Sequence, residues 1–274
     1  MPGSIKELPD NKIIKIIERN LFEQKRFYGS SHRTRLIDNK NIIKFISRIP
    51  LPFFNCVIFY NLGPKILEKQ IKDFIKFGRS KKTSLLWLIG PSSKPQSIDI
   101  LLEVNSFRYD DHMISMAVEL QDLKNNLKYI DGFEIEIVDN RKKLEKWVHT
   151  CLKGFDENGK NFSSIYEFER SLGYARTRPW VRFTGFIKGE AIATSAIFMG
   201  SEAAGLDNIT TVPDWRNKGV GASMATYALR FSQSLGYNIG VLQASDMGYN
   251  LYCKLGFKKY YEFKEYIWKY DNNA

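Results

Sequence analysis

The sequence predicts an α/β chain of two consecutive domains, and three observations carry that reading. Apolar runs of strand length alternate with helix-period segments through both halves. A glycine-rich turn, residues 212–222, separates one apolar run from a long helical segment. Leu102-Glu103-Val104-Asn105-Ser106-Phe107 is echoed by Tyr252-Cys253-Lys254-Leu255-Gly256-Phe257, an offset of 257 − 107 = 150 residues. At 274 residues the chain also exceeds the usual size of one domain.

Taken in order, residues 66–77 read as an amphipathic helix, 85–90 as a strand, 97–104 as a short helix and 113–120 as a strand. A polar stretch at 121–132 marks the boundary, giving domains 1–130 and 131–274. The second half opens on a strand at 134–139 and helices near 142–152 and 163–172. Next come strands 181–187 and 191–199, joined by the hairpin turn Lys188-Gly189-Glu190. A strand at 203–212 leads to the glycine turn, whose helix runs over 222–235. Strand 239–244, a short helix closed by Gly256 and Phe257, and strand 259–270 complete the chain.

The turn Val212-Pro213-Asp214-Trp215-Arg216-Asn217-Lys218-Gly219-Val220-Gly221-Ala222 ends at a helix N-terminus. The first amides of a helix lack intrahelical partners and its dipole is positive there, so a pyrophosphate can collect several donors. A Walker loop is excluded because Lys218 precedes the first glycine and no hydroxyl comes after it in register. A dinucleotide fingerprint is excluded because Met224 stands where a third glycine belongs. The Arg-x-x-Gly-x-Gly pattern resembles the acetyl-CoA signature of the GNAT (Gcn5-related N-acetyltransferase) superfamily. The segment 241–257, with Tyr252 shortly before Gly-Phe, resembles that family's second hallmark. Ser245 and Gly248 stand where the family often has Asn and Ala, and Ser245 is expected to cap the short helix in Asn's place.

The resemblance implies tandem GNAT-like domains, each a mixed central sheet flanked by helices, with acetyl-CoA as acyl donor and a primary amine as acceptor. The pantetheine arm would enter between splayed fourth and fifth strands and pair with Thr210, Thr211 and Val212. Backbone amides of Arg216, Asn217, Lys218, Gly219, Val220, Gly221 and Ala222 would hold the pyrophosphate, with charge added by Lys218 and Arg216, and Ser245 completes the expected cofactor set. Tyr252 holds the family position that donates to the departing CoA thiolate. A lysine-like amine is mostly protonated at neutral pH, so a base or water relay must take its proton. Asp207, then Glu190, are the carboxylates best placed for it. The acceptor pocket is expected under residues 153–162, a loop rich in Gly and Asn.

In the first half, Asn61-Leu62-Gly63-Pro64-Lys65 lacks the second glycine, and Leu102 replaces the tyrosine. That copy is expected to have lost acetyl-CoA chemistry. Composition narrows the alternatives. With 43% apolar and 14% aromatic residues the chain is not disordered, and its longest apolar runs fall short of a membrane span. Three scattered cysteines without Cys-x-x-Cys fit a reducing compartment. The expected location is the cytoplasm, with export into a host cytosol left open. Three isolated histidines give no metal site. The net charge of +11 favours acidic partners, but the basic runs are not interleaved with aromatics, so nucleic acid is not the expected ligand. Two other readings stay open: a CoA-binding regulatory module without turnover, and a transferase using another acyl or aminoacyl donor.

Overall fold

The computed structural model describes residues 4–124, 129–157, 159–174 and 179–271. In chain order its elements are α1 (Asp10–Tyr28), β1 (Thr34–Asn39), β2 (Ile42–Ser47), β3 (Cys56–Tyr60), α2 (Pro64–Lys81), β4 (Leu85–Ile89), α3 (Asp99–Val104) and β5 (Arg108–Glu119). The chain continues through β6 (Phe133–Ile137), α4 (Arg141–Gly154), α5 (Phe162–Ser171), β7 (Trp180–Ile187), β8 (Glu190–Met199), β9 (Ala204–Thr211), α6 (Val220–Ser234), β10 (Ile239–Ala244), α7 (Asp246–Leu255) and β11 (Lys258–Trp268). The run β3-α2-β4-α3-β5 repeats as β9-α6-β10-α7-β11. None of the helices is long and apolar enough to cross a membrane, among the described residues.

Two compact units result, Met1–Gln24 with Ile114–Tyr260, and Lys25–Met113 with Tyr261–Ala274. These differ from consecutive halves split at residue 130. The reason is an exchange of strands: β10 pairs antiparallel with β5 of the first half, Leu242 opposite Met116, while β4 pairs antiparallel with β11 of the second, Trp87 opposite Tyr266. The first unit's strands run β5-β10-β9-β8-β7-β6, and the second's β1-β2-β3-β4-β11.

Each unit has its own apolar core. In the first, Val181, Phe183, Ile192 and Ile197 of β7 and β8 pack on Met224, Ala228 and Leu229 of α6. In the second, Leu67, Ile71 and Phe74 recur at helical spacing along α2 and cover Trp87. The indole lies 5.6 Å from the Tyr60 ring, 6.3 Å from Phe74 and 6.2 Å from Phe107, contacts worth about 0.5–1.5 kcal/mol each beyond burial.

The second unit also carries a pH-sensitive carboxyl. Burial, reinforced by Asp111 and Asp110 and opposed by His112, pushes half-buried Glu265 of β11 up to about 7. Its folded pKa exceeds the unfolded one, so the native state binds the proton more tightly between pH 4.5 and 7. Stability is therefore lost as pH rises through that window, on the order of 2–3 kcal/mol. Urea unfolding at pH 5 and pH 8 checks this: the midpoint falls with pH in the native sequence and much less in Glu265→Gln.

Candidate active site

β9 and β10 are parallel but pair only at Ala204 with Gly240 and Gly205 with Val241. Beyond these pairs β10 stays with β5 and β9 stays with β8, so a slot opens between them. The cause is local. Ala196 faces Asp207 but Thr194 faces Thr210, so β9 carries one extra residue, and Asn208 sits there at φ +49°. Such a bulge bends its strand and increases the twist. Thr194 holds the bulge, its Oγ1 donating to the Asn208 carbonyl at 2.9 Å and sharing a 2.7 Å bond with Thr210 Oγ1.

Thr210 is buried against the end of α4. A Cβ on Gly154 would stand 2.5 Å from the Thr210 Cβ, so only glycine allows that approach. Val212 N–H bonds Ile192 O at 2.9 Å, toward β8. Of the three expected pantetheine contacts, Val212 therefore has its amide engaged, and Thr210 has its side chain engaged.

A single 3-10 turn, Pro213–Trp215, carries the chain to α6. The Trp215 and Arg216 amides close it on Val212 O and Pro213 O at 3.0 and 3.1 Å. Arg216 differs from the expectation in both respects. Its amide belongs to the turn, and its guanidinium bonds Gly154 O and Asp156 Oδ2 at 2.9 Å each and Thr211 O at 3.2 Å, clamping α4 to β9. Lys218 rests its ammonium 4.7 Å from the Trp215 ring centre. Asn217 at φ +62° and Gly219 at φ +91° turn the chain into α6, where Val220, Gly221 and Ala222 present the opening amides of the helix. Residue 158 of the expected acceptor loop lies outside the described residues; Gly154 is the last residue of α4 and Phe162 the first of α5.

On the far side of the slot, Ser245 starts α7. Its carbonyl accepts the Gly248 and Tyr249 amides at 3.0 Å each, but its side chain makes no capping bond, contrary to the expectation. Gly256 at φ +103° ends the helix, and Phe257 N–H bonds Tyr252 O at 3.0 Å. Tyr252 is 8% exposed, edge-on to Phe257 at 5.8 Å between ring centres. Burial, and then the charge of Asp207, raise its phenol well above the ordinary tyrosine value, which keeps it protonated. The charge of Asp207 is thus felt at Tyr252, whereas Glu190 stands exposed at the start of β8.

Asp207 is engaged from a distant part of the sequence. Gln24 Nε2 of α1 donates to its Oδ2 at 2.7 Å, and the Asn208 amide donates to its Oδ1 at 2.6 Å. One face of α1 grips the β8–β9 hairpin: Arg19 pairs with Glu202, Asn20 Nδ2 donates to Ala203 O at 2.8 Å, and Glu23 accepts from the Ser201 amide and hydroxyl. The Asn20 side chain fills the space a Cβ on Gly205 would need. No local signal announces Gln24 or Asn20, since each partner lies 183 residues away.

Residues 143–257 match the family model of the acetyltransferase (GNAT) family. No curated protein matches the sequence. Among solved structures, a GCN5-related N-acetyltransferase from Kribbella flavida shares 14% identity over 92% of this chain and 94% of its own, with a TM-score of 0.66. A GCN5-related N-acetyltransferase-like protein from Streptococcus suis 89/1591 shares 13% over 93% and 100%, with a TM-score of 0.55. A tandem GNAT protein from the clavulanic acid biosynthesis pathway shares 10% over 89% and 86%, with a TM-score of 0.58. At these identities the likeness concerns the fold.

Proposed function

We propose, from the premise that residues 143–257 form a domain of the acetyltransferase (GNAT) family, that the chain transfers an acetyl group from acetyl-CoA to a primary amine of a small molecule or protein. The observation that carries this reading is the slot between β9 and β10, opening beside the amides of Val220, Gly221 and Ala222. The pyrophosphate would lie on those amides and the Asn217–Gly219 turn, and the pantetheine arm along the open edge of β9, chiefly at Thr211. Thr210 supports that edge from below, and Arg216 holds its end in place.

The amine nitrogen attacks the thioester carbonyl after its proton passes, through water, toward Asp207. The hydrogen bonds from Gln24 and Asn208 fix the orientation of the carboxylate. Collapse of the tetrahedral adduct forms the amide and breaks the C–S bond, and Tyr252, held protonated, donates to the leaving sulfur. The proposed location is the cytoplasm, of its own cell or of a host.

A non-catalytic reading, a module that holds CoA without turnover, is favoured by one observation, the burial of Tyr252. Titration of acetyl-CoA by calorimetry, then thiol release with a panel of amines, separates the two. Binding with amine-dependent thiol release supports transfer, and binding without it supports the module. In Tyr252→Phe, turnover is expected to fall roughly tenfold, a modest loss because a thiolate whose acid has a pKa near 8.5 leaves without full protonation. Acetyl-CoA affinity should hold within about twofold, and unchanged turnover would remove Tyr252 from the mechanism.

A further inference from the structure

The second unit repeats the strand divergence. β3 and β4 are parallel and pair only at Cys56 with Leu86 and Val57 with Trp87. β3 carries its own extra residue, since Ile43 faces Phe59 while Lys44 faces Val57, which leaves Ile58 as the bulge. Ile58 lies 208 − 58 = 150 residues before Asn208, the same offset that relates Phe107 to Phe257. Strand divergence is therefore built in the same way in both units.

The connections leaving the two bulged strands differ. β9 reaches α6 through residues 212–219, eight residues that make the phosphate turn, whereas β3 reaches α2 through only 61–63. Pro64 then opens α2 and has no amide to give. The opposite change occurs after the next strand. One residue, Ser245, joins β10 to α7, but nine residues, 90–98, join β4 to α3.

Those nine residues run back alongside β3. Lys94 N–H donates to Tyr60 O at 2.8 Å and Leu62 N–H donates to Lys94 O at 3.2 Å, a parallel bridge centred on Asn61 and Lys94. Tyr60 Oη donates to Pro95 O at 3.0 Å. The loop is shaped from within by Gln96, whose Nε2 donates to Gly90 O at 2.8 Å and Ser93 O at 2.7 Å. Ser93 and Ile98 are each 1% exposed and anchor the loop, while Pro91, Ser92, Lys94, Gln96 and Ser97 face solvent.

We propose that loop 90–98 is a permanent internal occupant of the second unit's acyl-CoA-type slot, pairing with the β3 edge as a pantetheine arm would, so that each chain binds a single acyl-CoA. The inference rests on the donor site proposed for the first unit. Two unit-specific changes act together here: the missing phosphate turn removes the anchor for a nucleotide, and the lengthened loop satisfies the backbone groups that divergence exposes. Without the loop the Tyr60 carbonyl and the Leu62 amide would lose these backbone partners.

Calorimetric stoichiometry and hydrogen exchange test this on the full chain. One acetyl-CoA per native chain, and none in Gly221→Glu with its circular dichroism unchanged, is the expected result. Two per chain, or one retained by Gly221→Glu, would overturn the inference. The Leu62 and Lys94 amides should exchange slowly and at the same rate with saturating acetyl-CoA. Exchange of the Lys94 amide at the rate of an open loop, or its acceleration by acetyl-CoA, would equally overturn it. No binding by the native chain defeats the donor reading alone, and exchange at Lys94 still decides the loop.

Discussion

Gly221→Glu should weaken acetyl-CoA binding by at least about 10²-fold while the protein keeps its fold. The position tolerates a side chain: a Cβ there would meet Leu251 Cδ1 at 3.4 Å and Thr211 Oγ1 at 3.6 Å, ordinary contacts. Glutamate also has better helix propensity than glycine by roughly 0.5–1 kcal/mol, so α6 is not weakened. The carboxylate, however, would project from the first turn into the space proposed for the pyrophosphate. At about 5 Å and an effective dielectric near 20, one such pair of like charges repels by roughly 3 kcal/mol, which is more than 10²-fold in affinity. Gly219→Glu should act in the same direction with an added cost to the fold, because φ +91° penalises any Cβ. Calorimetry beside thermal melting decides the matter. Unchanged affinity in a folded Gly221→Glu would place the ligand elsewhere.

The parts of this site that can be read from the sequence are those whose cause is local. Residues 239–244 read as a strand to the residue because polar turns bracket six residues of strand character, and Gly256 announces its helix end because only a left-handed residue closes that turn with Phe257. The turn before α6 likewise carries its geometry in Gly219, at φ +91°. Long-range causes leave no trace. The grip of α1 on the β8–β9 hairpin depends on a helix face meeting strands about 180 residues on, and Asn20 and Gln24 look like ordinary polar positions. The exchange of β5 and β11 is equally silent, since strand period fixes which face is buried and not which neighbour is paired. β5 also starts at Arg108, five residues before the strand expected at 113, because its exposed opening Arg-Tyr-Asp-Asp has no apolar alternation. The charge of Arg216 points to an anionic ligand, whereas packing against α4 gives it three protein acceptors.

Glu169→Ala is expected to cost about 3–5 kcal/mol and to lower the melting temperature by roughly 6–20 °C. Glu169 of α5 and Arg182 of β7 form an ion pair at 2.7 Å, with the two residues 3% and 1% exposed. The same Glu169 oxygen accepts from Trp180 Nε1 at 3.0 Å, while Arg182 also donates to Gly173 O at 3.0 Å and to Glu169 O at 2.9 Å. Every element of this cluster lies within the unit that carries the proposed active site, where it ties α5 to the strand beside β8. Removing only the carboxylate leaves a guanidinium in the interior with its countercharge gone and takes the Glu169 acceptor from the Trp180 N–H, so the loss exceeds that of a surface pair several-fold. The double replacement Glu169→Leu with Arg182→Met removes both charges and should recover most of the loss. The coupling between the two is therefore the quantity to measure, in a double-mutant cycle read by calorimetry. Additive losses in that cycle, or a drop below about 2 °C in Glu169→Ala, would show that water reaches the pair. Acetyl-CoA affinity in the folded fraction should not change, because the ligand site and the ion pair share no side chain.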